Sequence, residues 1–171
     1  MTDVILQDLK DGLLTITMNR PERKNAMSAE FTLGLLQAAQ RAWDDQDVRA
    51  VLLKGAGGTF CVGGDVRGFA DPNRKAPSFE ERQVSLRSRM EASRLLHEMN
   101  KPVVAAVEGA AAGAGLSLAL ACDLRIVGEN AKITTAFAKV GLSGDYGGTY
   151  YLTKMLGSAK ARELYLLSPI L

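Results

Sequence analysis

Phe60-Cys61-Val62-Gly63-Gly64-Asp65 and Glu108-Gly109-Ala110-Ala111-Ala112-Gly113-Ala114-Gly115 are the two stretches on which the reading of this chain turns. Each follows an apolar, β-branched run, Val51-Leu52-Leu53 before the first and Val103-Val104-Ala105-Ala106-Val107 before the second. The second runs directly into Leu116 to Ala121, an apolar segment that reads as a helix. Glycine at a strand end lets the backbone turn sharply and lets a ligand approach the amides closely. A helix start leaves N–H groups unpaired and carries a partial positive charge, which suits a developing oxyanion. Each turn can therefore offer one N–H to a carbonyl oxygen held between them. Either one alone reads equally well as an ordinary strand-to-helix turn.

Working outward, Val4 to Leu9 and Leu13 to Met18 alternate as two strands across a turn at Lys10-Asp11-Gly12. Ser28 is placed to cap a helix whose apolar face is Phe31, Leu35, Ala38, Ala39 and Ala42. Val48 to Lys54 reads as a buried strand and Thr59 to Val62 as a short one. Phe69 to Phe79 reads as a mobile surface loop rich in Pro, Asn, Arg and Lys. Glu80 to Met99 then forms a long helix with Val84, Met90, Leu95 and Leu96 inward. Pro102 opens the next strand, Leu124 to Val127 and Ile133 to Thr135 follow as strands, and Gly147 to Leu156 and Ala159 to Leu167 close the chain as helices. The repeating order, strand, strand, helix, indicates a single α/β domain over residues 1–171.

The chain has 171 residues and a formal net charge of +2, from 21 Lys plus Arg against 19 Asp plus Glu. That balance supplies no field for nucleic acid. No apolar run reaches the roughly eighteen residues that a membrane span needs, and the acidic start from Met1 to Lys10 is no signal peptide. Neither membrane nor nucleic acid is expected as a partner. Cys61 and Cys122 sit alone in apolar surroundings and read as reduced core thiols in a cytoplasmic protein. No His/Cys cluster has metal-ligand spacing, so no metal site is expected.

In order and wording the two stretches resemble the crotonase superfamily, the enoyl-CoA hydratase/isomerase family. Asn19-Arg20-Pro21 with Asn25-Ala26-Met27 looks like its opening signature, and Phe60 to Val66 like its first oxyanion segment. Lys101 to Val107, the glycine-rich turn and Ala121-Cys122-Asp123 resemble the second; Gly141 with Gly147-Gly148-Thr149 resembles the third. The resemblance implies a spiral of ββα units, trimers or pairs of trimers, and a helical C-terminal segment beyond Ser168-Pro169-Ile170-Leu171. On that ground residues 1–171 are read as a truncated core. An apolar patch is then expected around Tyr165, Leu166, Leu167, Ile170 and Leu171.

The resemblance also assigns roles. Gly64 and Ala114 would donate their N–H groups to a thioester carbonyl, and no cofactor is implied beyond coenzyme A as part of the substrate. The loop Arg23, Lys24, Asn25 and Ala26 would face the adenine, and the backbone of Val62, Gly63, Asp65 and Val66 the pantetheine. Arg23, Lys24 and Arg67 either pair with phosphates or stand as solvated charges. Asp65 either caps a helix starting near Val66 or faces the substrate. Gly113 precedes the second donor, and Ser117 and Phe137 stand where the family's hydratases carry glutamates. Syn addition of water needs one group to activate the water and one to manage the proton, and phenylalanine does neither.

A carboxylate returns at Asp145, a position where several family isomerases and the 4-chlorobenzoyl-CoA dehalogenase have an aspartate. One base can take a proton from one carbon and return it at another, so the implied activity is enoyl-CoA double-bond isomerisation. A cap on the helix near Gly147 is the competing role for Asp145. Tyr146, Tyr150 and Tyr151 lie close by in sequence, and His97 lies on the long helix, away from the motifs. Water addition, attack of Asp145 on an aryl-CoA ring, and CoA-thioester binding without catalysis are the alternative functions.

Overall fold

A computed structural model describes residues 3–65 and 77–171. Val66, Arg67 and residues 69–76 of the expected surface loop lie outside them. The elements run β1 (Ile5–Lys10), β2 (Leu13–Met18), α1 (Ala29–Asp44), β3 (Ala50–Gly55), α2 (Phe79–Glu98), β4 (Val103–Val107), β5 (Ala110–Ala112), α3 (Ala114–Ala121), β6 (Leu124–Val127), β7 (Lys132–Thr134) and α4 (Gly148–Leu167). Short 3-10 turns occupy Pro21–Arg23 and Phe137–Val140.

Five strands make the larger sheet in the order β1-β2-β3-β4-β6, antiparallel at β1/β2 and parallel elsewhere. Alternation puts Leu14, Ile16, Met18, Val51, Leu53, Val103, Ala105 and Val107 into the core, all buried. α1 covers them with Phe31, Leu35, Ala38, Ala39 and Ala42, at three- and four-residue spacing. Its start is held by Ser28 Oγ, which accepts from Phe31 N–H at 3.2 Å, a cap that contributes about 1 kcal/mol. α2 starts on a reciprocal box, Ser78 accepting from Glu81 N–H and Glu81 from Ser78 N–H.

The second, smaller layer positions the site. β5 runs parallel to β7 with Ala111 opposite Ile133, and Cys61 pairs with Ala111 on the other side. Cys61, Ala111 and Ile133 thus lie abreast, and the loops leaving them emerge at the same C-terminal end. That is where ligands bind in parallel sheets.

Several expectations are corrected. Thr59 to Val62 forms no strand: Phe60 and Cys61 N–H donate to Glu108 and Ala110 O, but the pairing ends at one bridge because Gly63 and Gly64 turn the chain away. The buried strand begins at Ala50, since Val48 N–H closes a turn onto Asp45 O. Val84 is 71% exposed, because α2 buries only its C-terminal half, from Met90 on, in the core it shares with α1 and α3. α2 begins at Phe79, where its Ser78 cap puts it. The two closing helices stand as expected, meeting within α4 at Gly157, whose φ of 77° and ψ of 162° are not helical.

Candidate active site

The first glycine turn packs directly against the start of α3. A methyl group on Gly63 would stand 2.8 Å from Ala112 O and 3.3 Å from Ala114 N, so only glycine permits this approach. Gly113, with φ of 54° and ψ of −125°, sets the peptide that precedes Ala114. Among the described residues neither Gly64 N–H nor Ala114 N–H has an acceptor. Beyond its chain neighbours, no described residue lies within 4 Å of where a Gly64 side chain would start. Ala114 is the first residue of α3, so its N–H belongs to the unpaired set at a helix start.

The loop Arg20 to Met27 is laced to the first turn. Met27 N–H donates to Gly63 O at 2.8 Å, Asp65 N–H to Met27 O at 3.2 Å and Val62 N–H to Lys24 O at 3.3 Å. Asn25 is fully buried, its Nδ2 donating to Ala56 and Thr59 O while its Oδ1 accepts from Arg20 N–H. The Cys61 thiol donates to Asn25 O at 3.1 Å and accepts from Gly63 N–H at 3.4 Å. Burial pushes that thiol up to about 12, so it holds the loop as a neutral group. Asp65 faces Arg20 at 3.9 Å. Arg23, Lys24, Glu22 and Ala26 line a shallow hollow of about 250 Å³ on the outer side of the loop.

Asp145 lies in the turn before α4. Its Oδ1 is buried without a hydrogen-bond partner among the described residues, and burial raises the carboxyl from 3.8 to about 6. The capping role is not what the structure holds: α4 begins at Gly148 on Gly147 as its N-cap, with no side-chain cap. Tyr146 follows at a φ of 52°, unusual for a bulky residue, and Ser93 of α2 pins it by donating to Tyr146 O at 2.7 Å. Tyr146 and Tyr151 are buried and Tyr150 is exposed. Those three, with Arg87, Arg94 and His97, line a cleft of about 520 Å³ between α2 and α4. His97 stands at its edge, Nδ1 3.2 Å from Ala121 O and ring against Tyr151.

Ser117 and Phe137 are both buried beside the second turn. The Phe137 ring lies 3.8 Å from where a Gly113 side chain would start and stacks on Tyr165 at 5.9 Å between centroids. The Tyr165 hydroxyl and Ser117 Oγ converge on Gly148, where an added Cβ would meet them at 2.5 and 2.3 Å, and Tyr165 feels the Asp145 charge. Sequence reasoning passed over Tyr165 as part of an apolar patch. A polar-tipped ring within Leu164-Tyr165-Leu166-Leu167 was the available signal, since a buried tyrosine hydroxyl seeks a partner.

The family model for enoyl-CoA hydratase/isomerase matches residues 8–169. The chain belongs to the enoyl-CoA hydratase/isomerase family. Among its relatives in that family, the 1,2-epoxyphenylacetyl-CoA isomerase of Escherichia coli K12 is 39% identical over 168 residues, covering 98% of this chain and 63% of the relative. A probable enoyl-CoA hydratase of Mycobacterium tuberculosis H37Rv is also 39% identical, over 96% of this chain and 62% of its own length. The crystal structure of an enoyl-CoA hydratase from Polaromonas sp. JS666 superposes with a TM-score of 0.87 at 35% identity, covering 98% of this chain and 64% of that one. A Thermobifida fusca YX family structure solved in complex with CoA gives 0.89 at 29% identity, over 99% and 66%. The α/β fold is thus the crotonase-like one, and the chain spans a little under two thirds of the length of the curated relatives it matches.

Proposed function

We propose that this chain is the core of an enoyl-CoA isomerase. The carrying observation is the Asp145 carboxylate, desolvated and without a hydrogen-bond partner among the described residues, in a site where Ser117 and Phe137 replace two glutamates. In this reading the thioester oxygen lies between Gly64 N–H and Ala114 N–H. Asp145 takes a proton from C2 of a 3-enoyl thioester, and the electron pair moves onto the thioester oxygen as a dienolate. The same carboxyl then returns the proton at C4, leaving the conjugated 2-enoyl thioester. Two amides aimed at the developing oxyanion lower the barrier by about 3 kcal/mol each. Arg23 and Lys24 pair with coenzyme A phosphates outside the acyl site, and no cofactor beyond the substrate's own coenzyme A takes part. The protein acts as a homotrimer or hexamer in the cytoplasm.

Water addition is the second reading, drawn from the hydratase names of the relatives, with Asp145 activating water instead of carbon. Incubation with a 3-enoyl-CoA and, in parallel, with its conjugated 2-enoyl isomer in D2O, followed by mass spectrometry, separates the two. Isomerisation gives a conjugated product with exchanged deuterium at unchanged carbon skeleton, and hydration adds the mass of water. Recovery of unlabelled, unreacted substrate would defeat both.

A further inference from the structure

Asp145 gets no orientation from a bond to its buried Oδ1, which has no hydrogen-bond partner among the described residues. What aims the carboxyl is therefore the backbone of the turn that carries it. That turn is Gly144 to Gly147, and three of its four residues have positive φ: Gly144 at 112°, Tyr146 at 52° and Gly147 at 76°. Glycine takes such angles freely. In Tyr146 they cost free energy, and they persist only where the surroundings impose them. Two carbonyls of the turn are held. Asp145 O accepts from Gly148 N–H at 3.2 Å, next to it in the chain, and Tyr146 O accepts from Ser93 Oγ of α2 at 2.7 Å.

The direction of the bonds at Ser93 is forced. Ser93 is 1% exposed and has one hydroxyl proton, which goes to the Tyr146 carbonyl because a carbonyl can only accept. The Tyr151 hydroxyl, 3.1 Å from Ser93 Oγ, is then the donor of that pair, with Ser93 O as a second acceptor at 3.4 Å. Tyr151 is seated against the same turn. Its N–H donates to Gly147 O at 3.0 Å, and a Cβ added to Gly147 would stand 2.8 Å from its ring. His97 packs on that ring at 4.7 Å between centroids. Ser93 from α2 and Tyr151 from α4 thus meet at the Tyr146–Gly147 peptide. We propose that Ser93 and Tyr151 are positioning residues that hold Tyr146 in its left-handed conformation and so keep the Asp145 carboxyl in the acyl site. The proposal rests on the reading above that Asp145 is the base, and not on either amide donor. It gives the two buried hydroxyls a role that packing does not ask of them, since alanine and phenylalanine would fill nearly the same space.

The test reads the carboxyl directly, by carbon-13 NMR titration of the chain labelled at aspartate, with the Asp145 signal assigned by its loss in Asp145→Asn. Ser93→Ala and Tyr151→Phe remove one hydroxyl each, and thermal melts check that both fold. In the unaltered chain burial sets the Asp145 midpoint at about 6, and the phenols of Tyr146 and Tyr165 are the titratable groups that sense its charge. A released turn lets the carboxyl reach water, so the midpoint should fall toward 3.8 in both variants. The kcat for deuterium exchange at C2 of a 3-enoyl-CoA should fall about tenfold in Ser93→Ala while KM stays within about twofold. Because Tyr151 acts through Ser93, the double variant loses no more than Ser93→Ala. An unmoved midpoint in both single variants would overturn the proposal, even if kcat fell. A midpoint moved by Ser93→Ala alone would strike Tyr151 from it, as would additive losses in the double variant. Should Ser93→Ala fail to fold, Tyr151→Phe carries both readouts by itself. Should the unaltered chain exchange no deuterium while the Ser93→Ala midpoint still falls, the base reading fails and the positioning of Asp145 stands.

Discussion

Cys61 and Ala111 pair in register as parallel neighbours, and three residues beyond each lie Gly64 and Ala114. The equal offset carries both chains off the small sheet together and leaves two backbone N–H groups without acceptors among the described residues. Each proposed donor can therefore be tested separately.

Ala114 occupies the first position of α3, where proline is best tolerated in a helix. Ala114→Pro deletes the N–H while Ser117 N–H still bonds Gly113 O. We expect the folded variant to lose about 10²- to 10³-fold in kcat for 3-enoyl-CoA. Ala114→Gly retains the N–H and should keep most of the rate. Equal activity in the proline variant, measured by ultraviolet assay of the conjugated product, would remove Ala114 from the site.

Asp145→Asn keeps the shape and removes the base. Exchange at C2 should fall by about 10² or more while CoA thioesters still bind. Stability moves the other way. The carboxyl titrates near 6 in the fold against 3.8 as the ordinary value, so the folded chain holds its proton over a window in which the unfolded chain has lost it. Asp145 therefore lowers stability as pH rises from about 3.8 to about 6, and the cost persists above that window. At pH 7 the asparagine variant should be about 1 kcal/mol more stable by urea denaturation, a figure discounted for the partial exposure of the group. A loss of stability instead would restore the capping role.

The rate should follow the ionised form of the same group. We expect kcat/KM to rise with pH through about 6 and level above it, with a tenfold loss for each pH unit below. A midpoint near 4 would mean that the carboxylate is solvated or paired when the enzyme works.

Leu166, Leu167, Ile170 and Leu171 are 64–75% exposed and adjoin one another in sequence, whereas Tyr165 beside them turns inward. A cluster of that kind on a soluble chain favours association. Sedimentation at roughly tens of micromolar should show species heavier than 18.3 kDa. A single monomer boundary there would speak against the proposed trimer.

Much of the fold was legible from short-range pattern. Alternation marked β1 and β2, apolar runs marked β3 and β4, three- and four-residue spacing marked α1, and glycine marked both turns, because these signals depend on neighbours within a few residues. The bounds failed where a distant partner sets them: the pairing at Thr59 to Val62 stops at one bridge to Ala111, and α2 is buried only along its C-terminal half. The candidate site divides along the same line. Gly64, Ala114 and Asp145 stand out by their places in the ordered motifs that resemble the family's, and the glycine turns around the first two are local facts. The environment of Asp145 is a product of packing: Ser93 pins the turn behind it through Tyr146 and Tyr151, 53 and 58 positions away, and the hydroxyls of Ser117 and Tyr165, 48 positions apart, meet at Gly148. Such contacts exist once α2, α3 and α4 pack together, and no stretch of sequence contains the packing that makes them.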